Sequence, residues 1–91
     1  SYYYFFNRGI TYTLLKRDEN AISDFTSAIT LNPDLSATYF CHRGDAYLRL
    51  KNLDKAEEDF RRADSINPEF ECVKRFKLKI RQYKYETNYY G

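Results

Sequence analysis

The stretch "FNRGITY", starting at Phe6, returns as "CHRGDAY" starting at Cys41, 35 positions later. Laying residues 1–34 over 36–69 holds this register without a gap. Tyr4 and Phe5 meet Tyr39 and Phe40, and Arg8, Gly9 and Tyr12 meet Arg43, Gly44 and Tyr47. Ala21, Asp24, Phe25 and Ala28 meet Ala56, Asp59, Phe60 and Ala63, and Asn32-Pro33 meets Asn67-Pro68. Repetition this dense constrains the chain to an array of like units that bury their apolar faces against one another.

Each copy divides into two helical halves. In the first, Phe5, Gly9, Tyr12 and Leu15 fall at steps of four, three and three, one face of a helix. In the second, Ala21, Phe25 and Ala28 do the same, with Ile22 and Ile29 broadening the stripe. The polar stretches "KRDE" and "KNLD" separate the halves, with Asp18 and Asn52 as expected N-caps. Asn-Pro closes each copy, because proline cannot continue a helix and restricts the residue before it. Gly9 and Gly44 lie mid-helix, where glycine costs about 0.5–1 kcal/mol relative to alanine. Close approach of a facing helix, with alanines as its matching small positions, offsets that cost.

The pattern Phe5-x-x-Arg8-Gly9-x-x-Tyr12, then Ala21-x-x-x-Phe25, Ala28 and Pro33, resembles a tetratricopeptide repeat, and Phe40, Gly44, Tyr47, Ala56, Phe60, Ala63 and Pro68 repeat it. The resemblance covers residues 2–69. It implies an all-α fold of antiparallel helix-turn-helix repeats, stacked as an α-α superhelix of five helices. The expected units are repeat 1 over residues 1–34, repeat 2 over 35–68, a basic capping helix over 69–87 and a frayed tail over 88–91. Three departures stand out: Phe replaces the first Trp, Arg8 and Arg43 replace the usual Leu before the glycine, and the period is 35 rather than 34. The spare residue falls between Pro33 and Gly44, in the inter-repeat turn or at the start of the third helix. The two arginines need partners or solvent. Either they pair with Asp24 and Asp59, which recur at matching spacing, or they snorkel outward.

"EFECVKRFKLKIRQYKYE" is a fifth helical pattern with Val73, Phe76, Ile80 and Tyr83 as its apolar stripe. Its other faces are nearly all Lys or Arg, which suits a helix closing the open end of a stack. The chain's net charge of +2 hides this asymmetry: residues from Lys74 onward carry +5, leaving −3 for residues 1–73. The whole molecule is therefore no obvious nucleic-acid binder.

The chemistry-bearing residues are sparse. Cys41, Cys72 and His42 are too few for a structural zinc site of about four ligands. No cofactor loop or catalytic set is readable; the glycines are Gly9, Gly44 and Gly91. Two reduced, half-buried thiols point to an intracellular, cytoplasmic compartment. No apolar run approaches the roughly 20 residues a membrane span needs, and the abrupt opening "SYYYFF" reads as a piece of a longer protein. "RGD" at Arg43-Gly44-Asp45 uses a packing glycine within a helix, not a protruding loop.

The resemblance implies a non-catalytic protein-interaction module or scaffold whose concave groove is lined by the first helix of each repeat. The groove candidates are Tyr3, Phe6, Asn7, Ile10, Thr13 and Leu14 in the first copy. In the second they are Thr38, Cys41, His42, Asp45, Leu48 and Arg49. Family modules that hold chaperone C-termini use a Lys-Asn-Arg carboxylate clamp. Asn7 matches its Asn, but Thr38, His42, Phe6 and Ile10 stand where the clamp wants Lys, Arg, Lys and Asn. A hydrophobic or mixed peptide, or a partner helix, fits better. The alternatives are self-assembly through the aromatic N-terminus and contact of the basic helix with an acidic protein or nucleic acid.

Overall fold

The computed structural model describes residues 1–90, and the side chains of all of these except Leu35, Asn88, Tyr89 and Tyr90. Among them are five α-helices and no strand: α1 (Tyr2–Leu14), α2 (Asp18–Leu31), α3 (Ser36–Arg49), α4 (Leu53–Ile66) and α5 (Glu71–Tyr90). A short 3₁₀ turn, Pro33–Leu35, leads directly into α3. Helix α1 pairs with α2 and α3 with α4, α2 packs on α3, and α5 lies against both α3 and α4. The fold is the expected all-α array of helical hairpins. Helix α5 reaches Tyr90, past the expected end near residue 87; of the tail expected to fray, Gly91 and the side chains of 88–90 lie outside the described residues.

The two hairpin turns are built alike. Lys16 and Lys51, 35 apart, adopt left-handed backbone with φ of 61° and 65°. The amides around them turn back onto the helix they leave: Arg17 N–H donates to the Tyr12 carbonyl (2.8 Å) and Asn52 N–H to that of Tyr47 (2.9 Å). These bonds satisfy carbonyls that a helix end would otherwise leave open. Asn52 caps α4 as expected, accepting from the Lys55 amide. Asp18 does not cap α2: the cap position is Arg17, without a side-chain bond, and Asp18 is already helical. Its carboxylate instead accepts from Arg49 Nε of the second repeat at 2.9 Å. Leu15 caps α1 and is exposed, so the apolar stripe of that helix stops at Tyr12.

Both glycines mark close approaches, though not to the facing alanines. A Cβ on Gly9 would lie 2.7 Å from Cε1 of Phe25, which α2 of the same hairpin contributes. A Cβ on Gly44 would run into the ring of Phe76 from α5 and sit 3.2 Å from Asp59 Cβ. Phe25 and Phe76 are among the largest fully buried side chains, whereas Phe60, the register mate of Phe25, is half-buried and meets Phe76 edge-on at 5.8 Å. Val73, Phe76 and Ile80 join Phe40, Ala56 and Ala63 in one core, three of the four residues of the apolar stripe read from the sequence of α5; the fourth, Tyr83, is half-buried outside it.

The arginines pair within their own hairpins. Arg8 donates from Nε and Nη2 to Asp24 at 2.7 and 2.8 Å, and Arg43 to Asp59 at 2.9 and 2.7 Å. Both guanidiniums also lie over aromatic rings, Arg8 over Tyr4 at 5.1 Å and Arg43 over Phe40 at 5.4 Å. The remaining nitrogen differs: Arg43 Nη1 donates to the Thr26 hydroxyl of the preceding repeat (3.1 Å), and Arg8 Nη1 to Tyr4 of its own helix (2.9 Å).

Since buried aromatic rings occupy the glycine notches, with Asp59 Cβ beside the second, Gly9→Leu and Gly44→Leu each lower stability by about 2–3 kcal/mol. That corresponds to a fall in Tm of roughly 10 °C or more for a domain of this size. Thermal melts followed by circular dichroism check it, and an unchanged Tm would contradict the packing account.

Candidate binding surface

The groove candidates lie on two helices that approach each other through aromatic rings. Phe6 of α1 stands 5.2 Å from the ring of Tyr39 and 5.4 Å from that of His42, both on α3. His42 in turn stacks on Phe25 at 5.5 Å, with a 29° interplanar angle. Phe6 and His42 are half-buried, and their rings meet edge-on between the two helices. Along α1, Tyr3, Asn7, Ile10 and Leu14 follow at steps of four, three and four and share one stripe. Tyr3 is 63% and Leu14 77% exposed, Asn7 is exposed, and Ile10 and Thr13 are half-buried. Thr38 is half-buried in the first turns of α3.

The second-repeat half is different, because α5 lies over it. Cys41 is 2% exposed and belongs to the core, so it lines no groove. Leu48 packs against the same core. Asp45 Oδ2 accepts from Lys79 Nζ of α5 at 3.0 Å, while its Oδ1 is buried without a hydrogen-bond partner. Arg49 is exposed but tied to Asp18. Of the twelve candidates, Tyr3, Asn7, Leu14 and Arg49 are exposed, Cys41 is buried, and the other seven are half-buried, Asp45 and Leu48 among them.

Two residues at the open end escape a reading by helix faces. A shallow cleft is lined by Thr13, Lys16, Asp18 and Arg49. Lys16 and Asp18 belong to the hairpin turn and the start of α2, and the only trace in the sequence is their place in the polar stretch between halves. A larger cleft of about 490 Å³, lined by Phe40, Arg61, Arg62 and Ile66 among others, lies away from these residues. Among the described residues, no three His, Cys, Asp or Glu side chains come together to hold a metal ion. None of the described helices is long and apolar enough to cross a membrane.

Paired helices stacked in register, with one flank left open, define a helical-repeat module. The model of the tetratricopeptide repeat family matches residues 2–35 and 37–70, and the chain belongs to that family. Repeats of this family generally mediate protein–protein interaction or scaffolding without catalysis. The residue between the two matched segments is Ser36, which opens α3 and is buried. The spare residue of the 35-residue period therefore sits at the entry to the third helix. No curated protein matches the chain.

Burial among these rings holds the His42 imidazole below its ordinary value of 6.5; Asp45 opposes this, and Lys79 and Arg49 add to it. As pH falls, the unfolded chain binds this proton before the folded chain does, so the contribution to stability is present above about pH 6.5 and lost below it. Between about pH 7.5 and 5.5, Tm falls further for the wild type than for His42→Gln. Parallel acid-dependent dependences in thermal melts would contradict this assignment.

Proposed function

We propose that the chain is a binding module whose open groove, running along α1 and floored by Phe6 and His42, takes a peptide segment or helix of a protein partner. The observation that carries this reading is exposure: Tyr3, Asn7 and Leu14 share one face of α1 and are exposed, whereas Cys41 is buried in the core that α5 joins and Asp45 is held by Lys79 of α5. That stretch offers apolar Tyr3, Ile10 and Leu14 with neutral polar Asn7, Thr13 and Thr38. Its charges gather at one end, where Arg49 pairs with Asp18 and Lys16 stands beside them. Such a surface suits an uncharged or mildly amphipathic segment with an apolar anchor against the Tyr3 and Leu14 side chains.

The alternative contact through α5 draws less support. Lys74, Arg75, Lys79 and Lys84 pair with Glu69, Glu71, Asp45 and Glu57, at 3.2, 3.7, 3.0 and 2.8 Å. Much of the basic face is thus taken up by carboxylates of the chain itself, and nucleic acid is a poor fit.

The groove is tested by selecting displayed random peptides on the immobilised chain and titrating those enriched. Tyr3→Ala, Asn7→Ala and Leu14→Glu act on accessible side chains and leave Tm unchanged. Together they weaken binding by about tenfold or more. Equal affinity for wild type and variant would move the site elsewhere.

A second reading rests on a register comparison. Tyr39 is 3% exposed, with its ring against Phe6 of α1, while Tyr4, its mate on α1, is 55% exposed. An aromatic face of the same kind therefore faces solvent at the N-terminal end of the stack, where a second copy of the chain would cover it. Sedimentation at high micromolar concentration then gives a dimer for wild type and a monomer for Tyr4→Glu; a monomeric wild type rules the reading out.

A further inference from the structure

The two cysteines are 31 residues apart in sequence, yet the packing of α5 brings them together. Helices α3 and α5 run side by side in the same direction, and three contacts fix their register. Phe76 fills the notch at Gly44, Lys79 reaches Asp45 at 3.0 Å, and Lys51 Nζ lies 5.8 Å from the Tyr83 ring centroid. One turn before Gly44 is Cys41, and one turn before Phe76 is Cys72. The register thus sets one thiol against the other at the N-terminal end of the interface. Cys72 packs on the core cluster that contains Cys41, and both are free thiols. Burial first, and then the side-chain contact with Cys72, push the Cys41 thiol well above the ordinary cysteine range.

We propose that Cys41 and Cys72 form a disulfide clasp that closes under oxidation by a hydroperoxide and fastens the first turn of α5 to α3. Cys72 reacts first, because it is half-exposed while Cys41 is buried. Its thiolate attacks the terminal oxygen of the hydroperoxide; the O–O bond breaks, an alcohol leaves (water, for hydrogen peroxide), and Cys72 becomes a sulfenic acid. The Cys41 sulfur then attacks the Cys72 sulfur, forming the S–S bond and expelling hydroxide, which leaves as water with the Cys41 proton. In sum two thiols lose two electrons and two protons, and the hydroperoxide is reduced. Because the second step needs the Cys41 thiolate, closure is slow while the Cys41 site stays dry and speeds up as the first turn of α5 loosens. Once closed, the bond prevents α5 from lifting off Asp45 and Leu48. The proposal stands independently of whether the groove binds a peptide.

The test treats the reduced full chain with hydrogen peroxide at equimolar concentration, followed by intact-mass measurement, thiol titration and thermal melting. The expected product is a monomer lighter by two hydrogens, with both thiols lost and Tm raised by about 15 °C or more for a loop of this length. A dithiol reductant restores the starting mass and Tm. Cys72→Ser, which changes a half-exposed position and keeps the helical circular dichroism of wild type, yields no such product. A wild-type product carrying sulfinic acid, a covalent dimer through Cys72, or two unreacted thiols would each overturn the proposal.

Discussion

An aromatic ring seated on bare helix backbone sets the spacing on which the rest of this structure depends. Glycine within a helix weakens it by about 0.5–1 kcal/mol, and burying a phenylalanine contributes about 1.5–3 kcal/mol in return. The exchange is favourable only where the ring reaches the backbone, as Phe25 does at Gly9 and Phe76 at Gly44. Ala21, Ala28, Ala56 and Ala63 are all fully buried, as close packing of the paired helices requires of small side chains.

Around each notch, the arginine that precedes the glycine gives the hairpin a polar lock. Two parallel N–H···O bonds to a carboxylate that is nearly inaccessible fix both distance and orientation, which a leucine at the same place would not. At Arg43 the lock extends further, because the same guanidinium reaches Thr26 in the preceding repeat and lies over Phe40 and Tyr47. Loss of Arg43 leaves the buried Asp59 carboxylate uncompensated, at a cost of about 3–5 kcal/mol, whereas Arg8 is exposed and its pair is screened by solvent. The role of the lock is better described as specifying one register of stacking than as adding net stability.

The sequence made the hairpins, their stacking and the buried stripe of α5 legible, because each is encoded by periodicity within one helix. Phe5, Gly9 and Tyr12 or Val73, Phe76 and Ile80 declare a face without reference to anything else. What periodicity does not encode is which neighbour covers a face. Cys41, Asp45 and Leu48 share the period of a groove wall, and only the lean of α5 onto α3 removes them from it. Asp18 has the composition and place of a helix cap, but Arg49 from the next repeat takes its carboxylate. The ring at Gly44 illustrates the same limit. Register alone assigns it to Phe60, and a side chain 16 residues further on fills the space.

The different origins of those two rings make the repeats unequal in self-sufficiency. The first hairpin supplies its own plug, since Phe25 and Gly9 sit on α2 and α1. The second borrows its plug from α5, and with Phe76 withdrawn its central notch would stand empty beside Asp59. Opening of α5 would therefore empty the notch at Gly44 and leave Phe25 seated at Gly9, although the rings of Phe6 and Phe25 also lean on His42 of α3. The two hairpins are alike in sequence register but unlike in what each needs from outside itself to close its interior.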